Sequence, residues 1–155
     1  MFRRRGVKVS DHMVKRPVLV TPDTELFAAI HKILVHKISG VTVVDDDRKP
    51  VGMLTELDCL RAILSGSYYQ EEVGTIRVGD HMTTGLESVD PDEQIVDVAL
   101  SMLDHKHRRR PVVDKRGNLL GQLTCRQLLK GVKDFDLPCL LYTSPSPRDR
   151  THQLV

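Results

Sequence analysis

The chain has no tryptophan, and aromatic residues are only 4% of it. A ligand site built on aromatic stacking is therefore not expected. Three cysteines in 155 residues cannot build a disulfide framework, so reduced thiols in a cytoplasm are the default. No apolar run approaches the roughly 18 residues of a membrane span. The basic start, Met1-Phe2-Arg3-Arg4-Arg5-Gly6, has no apolar stretch behind it, so a secretory leader is not expected. A one-sided charge excess is missing too: 23 Lys and Arg face 21 Asp and Glu, a net +2. Nucleic-acid binders usually carry more, so nucleic acid is not an expected partner. The familiar catalytic signatures are also absent: no Gly-x-Ser-x-Gly elbow, no phosphate-binding Walker loop and no His-Glu-x-x-His. An enzyme is not expected. What remains is an ordinary balance, 40% apolar and 28% charged, enough for one compact domain or two small units sharing a core.

The C-terminal stretch reads differently. Cys139-Leu140-Leu141-Tyr142-Thr143-Ser144-Pro145-Ser146-Pro147-Arg148-Asp149 has neither helical nor strand period. It resembles one reading frame of a transposase-type sequencing adapter. Residues 139–155 are therefore expected to be non-native and are left out of the fold.

An internal repeat organises the rest. Asp11-His12-Met13 returns as Asp80-His81-Met82, and His36-Lys37 as His105-Lys106. Val43-Val44-Asp45 returns as Val112-Val113-Asp114, and Gly52-x-Leu54-Thr55 as Gly121-x-Leu123-Thr124. The offset is always 69, and residues 9–64 match 78–133 at 17 of 56 positions without a gap. The domain boundaries follow: repeat 1 over 9–64, a linker over 65–77, and repeat 2 over 78–133. Tyr68-Tyr69 in the linker either packs the joint or forms an oligomer contact.

Each copy reads as β-α-β-β-α. A strand around Val18-Leu19-Val20 ends at Thr21-Pro22. A helix follows, with Leu26, Ile30, Ile33 and Leu34 on one face, and Ile95, Ala99, Met102 and Leu103 in the second copy. Asp90-Pro91-Asp92-Glu93 resembles a capping box, while Thr21 or Thr24 caps the first copy. Two strands, 41–45 and 51–55, flank the turn Asp46-Asp47-Arg48-Lys49; Lys115-Arg116-Gly117-Asn118 is its counterpart. The second helices run over about 56–64 and 126–132. The expected fold class is α+β, an α/β sandwich, with two repeats about a pseudo-twofold axis.

The chemistry sits where a strand turns into a helix. In Gly52-Met53-Leu54-Thr55-Glu56-Leu57-Asp58, Gly52 permits close backbone approach. Thr55 stands at a helix N-terminus, where free N–H groups favour phosphate. Asp58 lies three residues on, where a carboxylate can accept from both ribose hydroxyls. Thr55 is equally a good N-cap and Asp58 a plain surface acid. Cys59 and Cys125 read as small buried residues, and His105-x-His107 as at most half a metal site. His12 and His81, at matching positions, read as structural.

Two such units closely resemble the tandem CBS-domain family, also called the Bateman module, over Val9 to about Val132. The resemblance implies a regulatory sensor that needs no cofactor. It binds AMP, ADP, ATP or S-adenosylmethionine between its repeats and dimerises into a flat disc. It also implies two unequal sites. The first takes Thr55 and Asp58 from repeat 1. From repeat 2 it takes Leu86, Glu87, Ser88 and Val89, then His107, Arg108, Arg109 and Arg110. Because strand direction alternates, two of the three arginines are expected to reach the cleft as a phosphate clamp. The second takes Thr124, and Gln127 in place of the Asp, with Leu19, Val20, Thr21, Ile38, Ser39, Gly40 and Val41. With Ser39 and Gly40 where arginines stand in the other copy, the second site is expected to be weaker. Similar modules sit inside larger enzymes such as inosine monophosphate dehydrogenase, whose catalytic barrel this chain has no room for. Two other readings stay open: a ligand-free protein scaffold, and a nucleic-acid binder using Arg3–Arg5 and Arg108–Arg110.

Overall fold

The structure is a computed structural model, and it describes residues 6–65 and 76–133. The adapter-like tail, Tyr68-Tyr69 and Arg3–Arg5 lie outside the described residues. In chain order a 3-10 turn, Val9–Asp11, precedes β1 (Leu19–Val20), α1 (Leu26–Val35), β2 (Gly40–Val44), β3 (Pro50–Thr55) and α2 (Glu56–Leu64). A second 3-10 turn, Val78–Asp80, precedes α3 (Ile95–His105), β4 (Arg109–Val113), β5 (Leu119–Thr124) and α4 (Cys125–Lys133). β1 runs parallel to β2, which pairs antiparallel with β3. β4 pairs antiparallel with β5, and a single parallel bridge from Val89 to Val112 stands where a first strand was expected.

The turns follow the repeat. Arg48 (φ 64) and Gly117 (φ 86) occupy equivalent left-handed positions, which only Gly adopts without strain. The helix faces are the expected ones except at one edge, and Ile30 and Ala99 pack partly buried against the two cores. Leu26, Ala29 and Ile33 are buried on α1, and Ile95, Val98 and Met102 on α3. Leu34 and Leu103 point out, 66% and 75% exposed. The inward stripe therefore runs i, i+3, i+7 and is narrower than the apolar pattern. The caps also move. Glu25, not Thr21 or Thr24, accepts from the Ala28 amide at the start of α1. The Asp90–Glu93 box closes a turn before α3, whose N-cap position is Gln94.

The two repeats are not separate bodies. Residues 7–14 pair with repeat 2, and residues 76–83 pair with repeat 1. Val14 exchanges two backbone hydrogen bonds with Gln122 (2.8 and 3.0 Å); Thr83 does the same with Met53 (2.9 and 2.8 Å). The Ile95 amide donates to Val7 O and the Leu26 amide to Ile76 O, both at 2.8 Å. All these pairs are equivalent at the offset of 69. The cores are exchanged in the same way: Ile76 and Val78 complete the core of repeat 1, and Val9 that of repeat 2. Each such side chain stabilises the other repeat by roughly 1.5–3 kcal/mol. One buried side-chain bond also joins the repeats, Thr42 Oγ1 to Gln122 Oε1 at 2.6 Å.

The exchange explains the glycines of the repeated motif. A Cβ on Gly121 would lie 2.5 Å from Val14 O, and one on Gly52 2.6 Å from Met82 Sδ and 3.0 Å from Thr83 O. The close backbone approach expected at Gly52 is that of the exchanged segment. Gly121→Ala must push that segment away and should destabilise the protein by about 1–3 kcal/mol. Urea denaturation measures this; an unchanged midpoint would contradict the packing described.

Candidate functional site

Two clefts open between the repeats. The first has a volume of about 380 Å³. Repeat 1 supplies Ser39, Met53, Thr55, Glu56 and Leu57. Repeat 2 supplies the segment 83–87, including Leu86 and Glu87, and then residues 106–110. Thr55 is the N-cap of α2, its Oγ1 accepting from the Asp58 amide at 3.1 Å. Asp58 completes the box by accepting from the Thr55 amide at 3.0 Å.

Asp58 does not line the cleft. It is 5% exposed, and its carboxylate also accepts from Thr83 Oγ1 at 3.1 Å and from Arg61 at 3.1 Å. The residue read as a ribose grip instead ties the first residue of the cleft's rear wall to α2. Ser88 is not on the wall either. Val89 is 2% exposed in the core of repeat 2, where its backbone bonds to Pro111 and Val113. A side chain packed that way has no face left for a ligand.

All three arginines line the cleft, but in different states. Arg110 is 5% exposed. It donates to Glu87 Oε2 (2.8 Å), Ser101 Oγ (3.0 Å) and His107 Nδ1 (3.1 Å). Glu87 offsets its charge, and the other two bonds fix its fork. Arg109 is half-buried and donates to Gly40 O (3.0 Å) and Ser39 Oγ, both neutral acceptors. Burial lowers its pKa from the ordinary value; Cys125 and Glu56 oppose the shift, and Arg108 adds to it. Arg108 is exposed, and while its carbonyl accepts from the Cys125 amide at 2.9 Å, its side chain makes no hydrogen bond or ion pair among the described residues. The phosphate donors without a carboxylate partner among the described residues are therefore Arg108 and Arg109, joined by Lys106, which was not expected from the sequence.

His107 is held below its ordinary value of 6.5, by partial burial first and then by Arg110 and His105, with Glu87 opposing. Only a neutral His107 can accept from Arg110. A histidine with a depressed folded pKa binds fewer protons folded than unfolded. Stability is thus complete above about pH 6.5 and falls as pH drops towards the lowered value. Melting scans between about pH 7 and pH 5 should show a smaller acid loss in His107→Asn than in wild type. Equal losses would remove His107 from the account.

The second cleft, about 620 Å³, is the pseudo-symmetric counterpart. Ile38, Ser39, Gly40, Thr124 and Gln127 line it as expected. Gln127 gives only a single capping bond, from its amide to Thr124 Oγ1 at 3.2 Å. Leu19, Val20, Thr21 and Val41 are not on its wall: Val20 and Val41 are core, and Thr21 closes a turn with Thr24. In their place stand Arg16, Lys37, Cys125 and Arg126, with Arg108 and Arg109 shared from the first cleft. Ser39 and Gly40 do stand where the other copy has arginines, but arginines reach this wall from other positions. Gly40 and Arg109 are equivalent positions in contact, so both lie at the pseudo-twofold axis. A Cβ on Gly40 would stand 3.4 Å from Arg109 Nη1 and 2.9 Å from Leu54 O. The small Ser39-Gly40 pair leaves room for Arg109 to serve both clefts, as Arg108 also does.

The missed lysines had a signal in the sequence. Lys37 and Lys106 belong to the repeated His-Lys pair, and both are left-handed (φ 54 and 58) at the ends of α1 and α3. That conformation costs a non-glycine residue about 1–2 kcal/mol and turns each lysine onto a cleft wall. Cys125, expected to be buried, is exposed; Cys59 is buried, with its thiol pushed up to about 11 by burial and then Asp58 and Glu56. No cluster of potential metal ligands occurs among the described residues. No helix among them is long and apolar enough to cross a membrane.

The CBS-domain family model matches residues 9–65 and 78–134, and the chain belongs to that family. It is similar to CBSX2 crystallised in complex with AMP, at 31% identity and a TM-score of 0.70, over 83% of this chain and 97% of that one. CBSX2 from Arabidopsis thaliana gives 29% and 0.71 over 83% and 95%. Inosine-5'-monophosphate dehydrogenase of Aquifex aeolicus is 33% identical over 126 residues. That match spans 81% of this chain but 24% of the dehydrogenase, and lies in its CBS region.

Proposed function

We propose that the protein is a regulatory module that binds an adenosyl nucleotide between its repeats and passes the occupancy to a partner protein. The observation that carries this reading is the first cleft, whose walls come from both repeats. A ligand there touches both halves at once. It can shift their packing to the extent that it binds one arrangement more tightly than another. Thr55 at the helix end, with Arg108, Arg109 and Lys106, suits a phosphate; Met53 and Leu86 offer an apolar wall for a base. The AMP complex of the related CBSX2 supports the ligand class. AMP, ADP, ATP and S-adenosylmethionine are the candidates, and the module acts by binding rather than catalysis.

A thermal-shift screen of these four tests the reading, since a ligand at 100 times its dissociation constant adds about 2.7 kcal/mol. Arg108→Ala should weaken AMP at least about ten-fold, the worth of one charge-assisted bond. Wild type that responds to none of the four would favour the ligand-free scaffold.

The same module is proposed to work as a homodimer in the cytoplasm. Leu34, Leu57, Leu60 and Leu64 leave one exposed apolar face on α1 and α2. Leu100, Leu103 and Leu129 leave its counterpart on α3 and α4. Paired faces of this kind mark association surfaces. The double variant Leu34→Glu, Leu103→Glu should sediment as a monomer; an unchanged dimer would move the interface elsewhere.

A further inference from the structure

One cluster beside the first cleft is not used by the nucleotide reading. Arg110, 5% exposed, donates from Nε to His107 Nδ1 (3.1 Å), from Nη1 to Ser101 Oγ (3.0 Å) and from Nη2 to Glu87 Oε2 (2.8 Å). The guanidinium thus ties β4 to α3 and to the wall 83–87, and both His107 and Glu87 line the cleft. The geometry fixes the tautomer. A ring nitrogen that accepts from Arg110 carries no proton, so in the neutral ring Nε2 carries it. The next proton must land on Nδ1, where it sets a donor against a donor and a cation against a cation. The groups facing the ring come from four elements. Arg110 stands on β4, and His105 on α3, with ring centroids 5.4 Å apart and its own Nδ1 donating to Ser101 O at 2.8 Å. Glu87 comes from the wall, and the Cys125 thiol at the start of α4 donates to His107 O at 3.7 Å. Lys106 and Arg108 flank the ring in the chain. Burial first, then Arg110 and His105, hold the ring below its ordinary value, with Glu87 opposing. At the offset of 69 the counterparts of Glu87, His107 and Arg110 are Val18, Ile38 and Val41, so the second cleft has no such cluster.

We propose that His107 is a proton-operated latch on the first cleft: neutral, it holds Arg110 and Glu87 in the arrangement described; protonated, it releases Arg110 and turns its charge into the cleft. Release leaves Arg110 Nε buried without its acceptor, which drives the guanidinium and Glu87 to repack. The wall 83–87 moves with Glu87, and an imidazolium joins Lys106, Arg108 and Arg109. Anion affinity in this cleft then rises as pH falls, and by reciprocity a bound anion holds the proton on His107 more tightly. The latch stands on the cluster alone; its effect on a ligand rests on the nucleotide reading.

Magnetic resonance of the isotope-labelled full chain, titrated from about pH 7.5 to about pH 5 without ligand, tests the latch. The His107 ring and the backbone amides of Glu87 and Arg110 should titrate together, with one midpoint below the ordinary 6.5. His107→Asn keeps an acceptor for Arg110 but takes up no proton, so the amide steps should vanish in it and persist in His105→Gln. A His107 ring that titrates with no step at Glu87 or Arg110, or steps that survive in His107→Asn, overturn the proposal. AMP calorimetry at the two ends of the range reports on the ligand. The phosphate of AMP also takes up a proton there, so the variant is the reference. Acidification should favour AMP at least about five-fold more in wild type than in His107→Asn. Equal changes in the two proteins overturn the effect on the ligand. If AMP binds neither protein at either pH, the nucleotide reading falls, and the amide titration still decides the latch.

Discussion

The whole arrangement depends on the exchange of short segments between the repeats. Residues 7–14 and 76–83 each complete the sheet and core of the other copy. A single unit of this size buries too little apolar surface to be comfortable alone. The exchange removes that difficulty by making the two cores interdependent. It also places a wall of one repeat against the helix end of the other, so the clefts exist only because of it. Asp58 shows the coupling at one atom group. Its carboxylate closes the cap of α2 and at the same time holds Thr83 of the exchanged segment. Whatever moves the rear wall of the first cleft therefore pulls on the start of α2.

The repeat is symmetric in its backbone and asymmetric in its chemistry. At the pseudo-twofold axis equivalent residues meet, and two large ones do not fit. Gly40 yields the space that Arg109 takes. Arg109 thus lies on the wall of both clefts, as Arg108 does. The buried pair Thr42 and Gln122 is another departure, since their equivalents are Pro111 and Met53. Differences of this kind let two copies of one unit specialise while sharing a core.

Much of this was legible in the sequence. The offset of 69 gave the repeat, the element order and the pairing of strand with helix at Thr55 and Thr124. Thr55, Arg108, Arg109, Thr124 and Gln127 were placed on the clefts that hold them. The errors have physical causes. Leu34 and Leu103 fit the helical period, but an apolar period does not say which edge of the stripe meets the core. Val89 matches Val20, and both are core, so neither was free for a ligand. Asp58 has the spacing of a ribose grip and equally of a capping box, and a single sequence cannot say where a carboxylate points. Arg16 and Arg126 were overlooked because nothing in their local pattern marks them; the exchange of segments brings them together across more than a hundred residues.

The central claim is that ligand sits between the repeats, on walls drawn from both. Backbone amide shifts in an isotope-labelled sample titrated with AMP test it most directly. The account predicts shifts in two separate stretches of repeat 2, at 83–87 and 106–109, together with Ser39, Thr55 and Glu56 of repeat 1. Shifts confined to one repeat, or to the outward faces of α1 and α3, would contradict it.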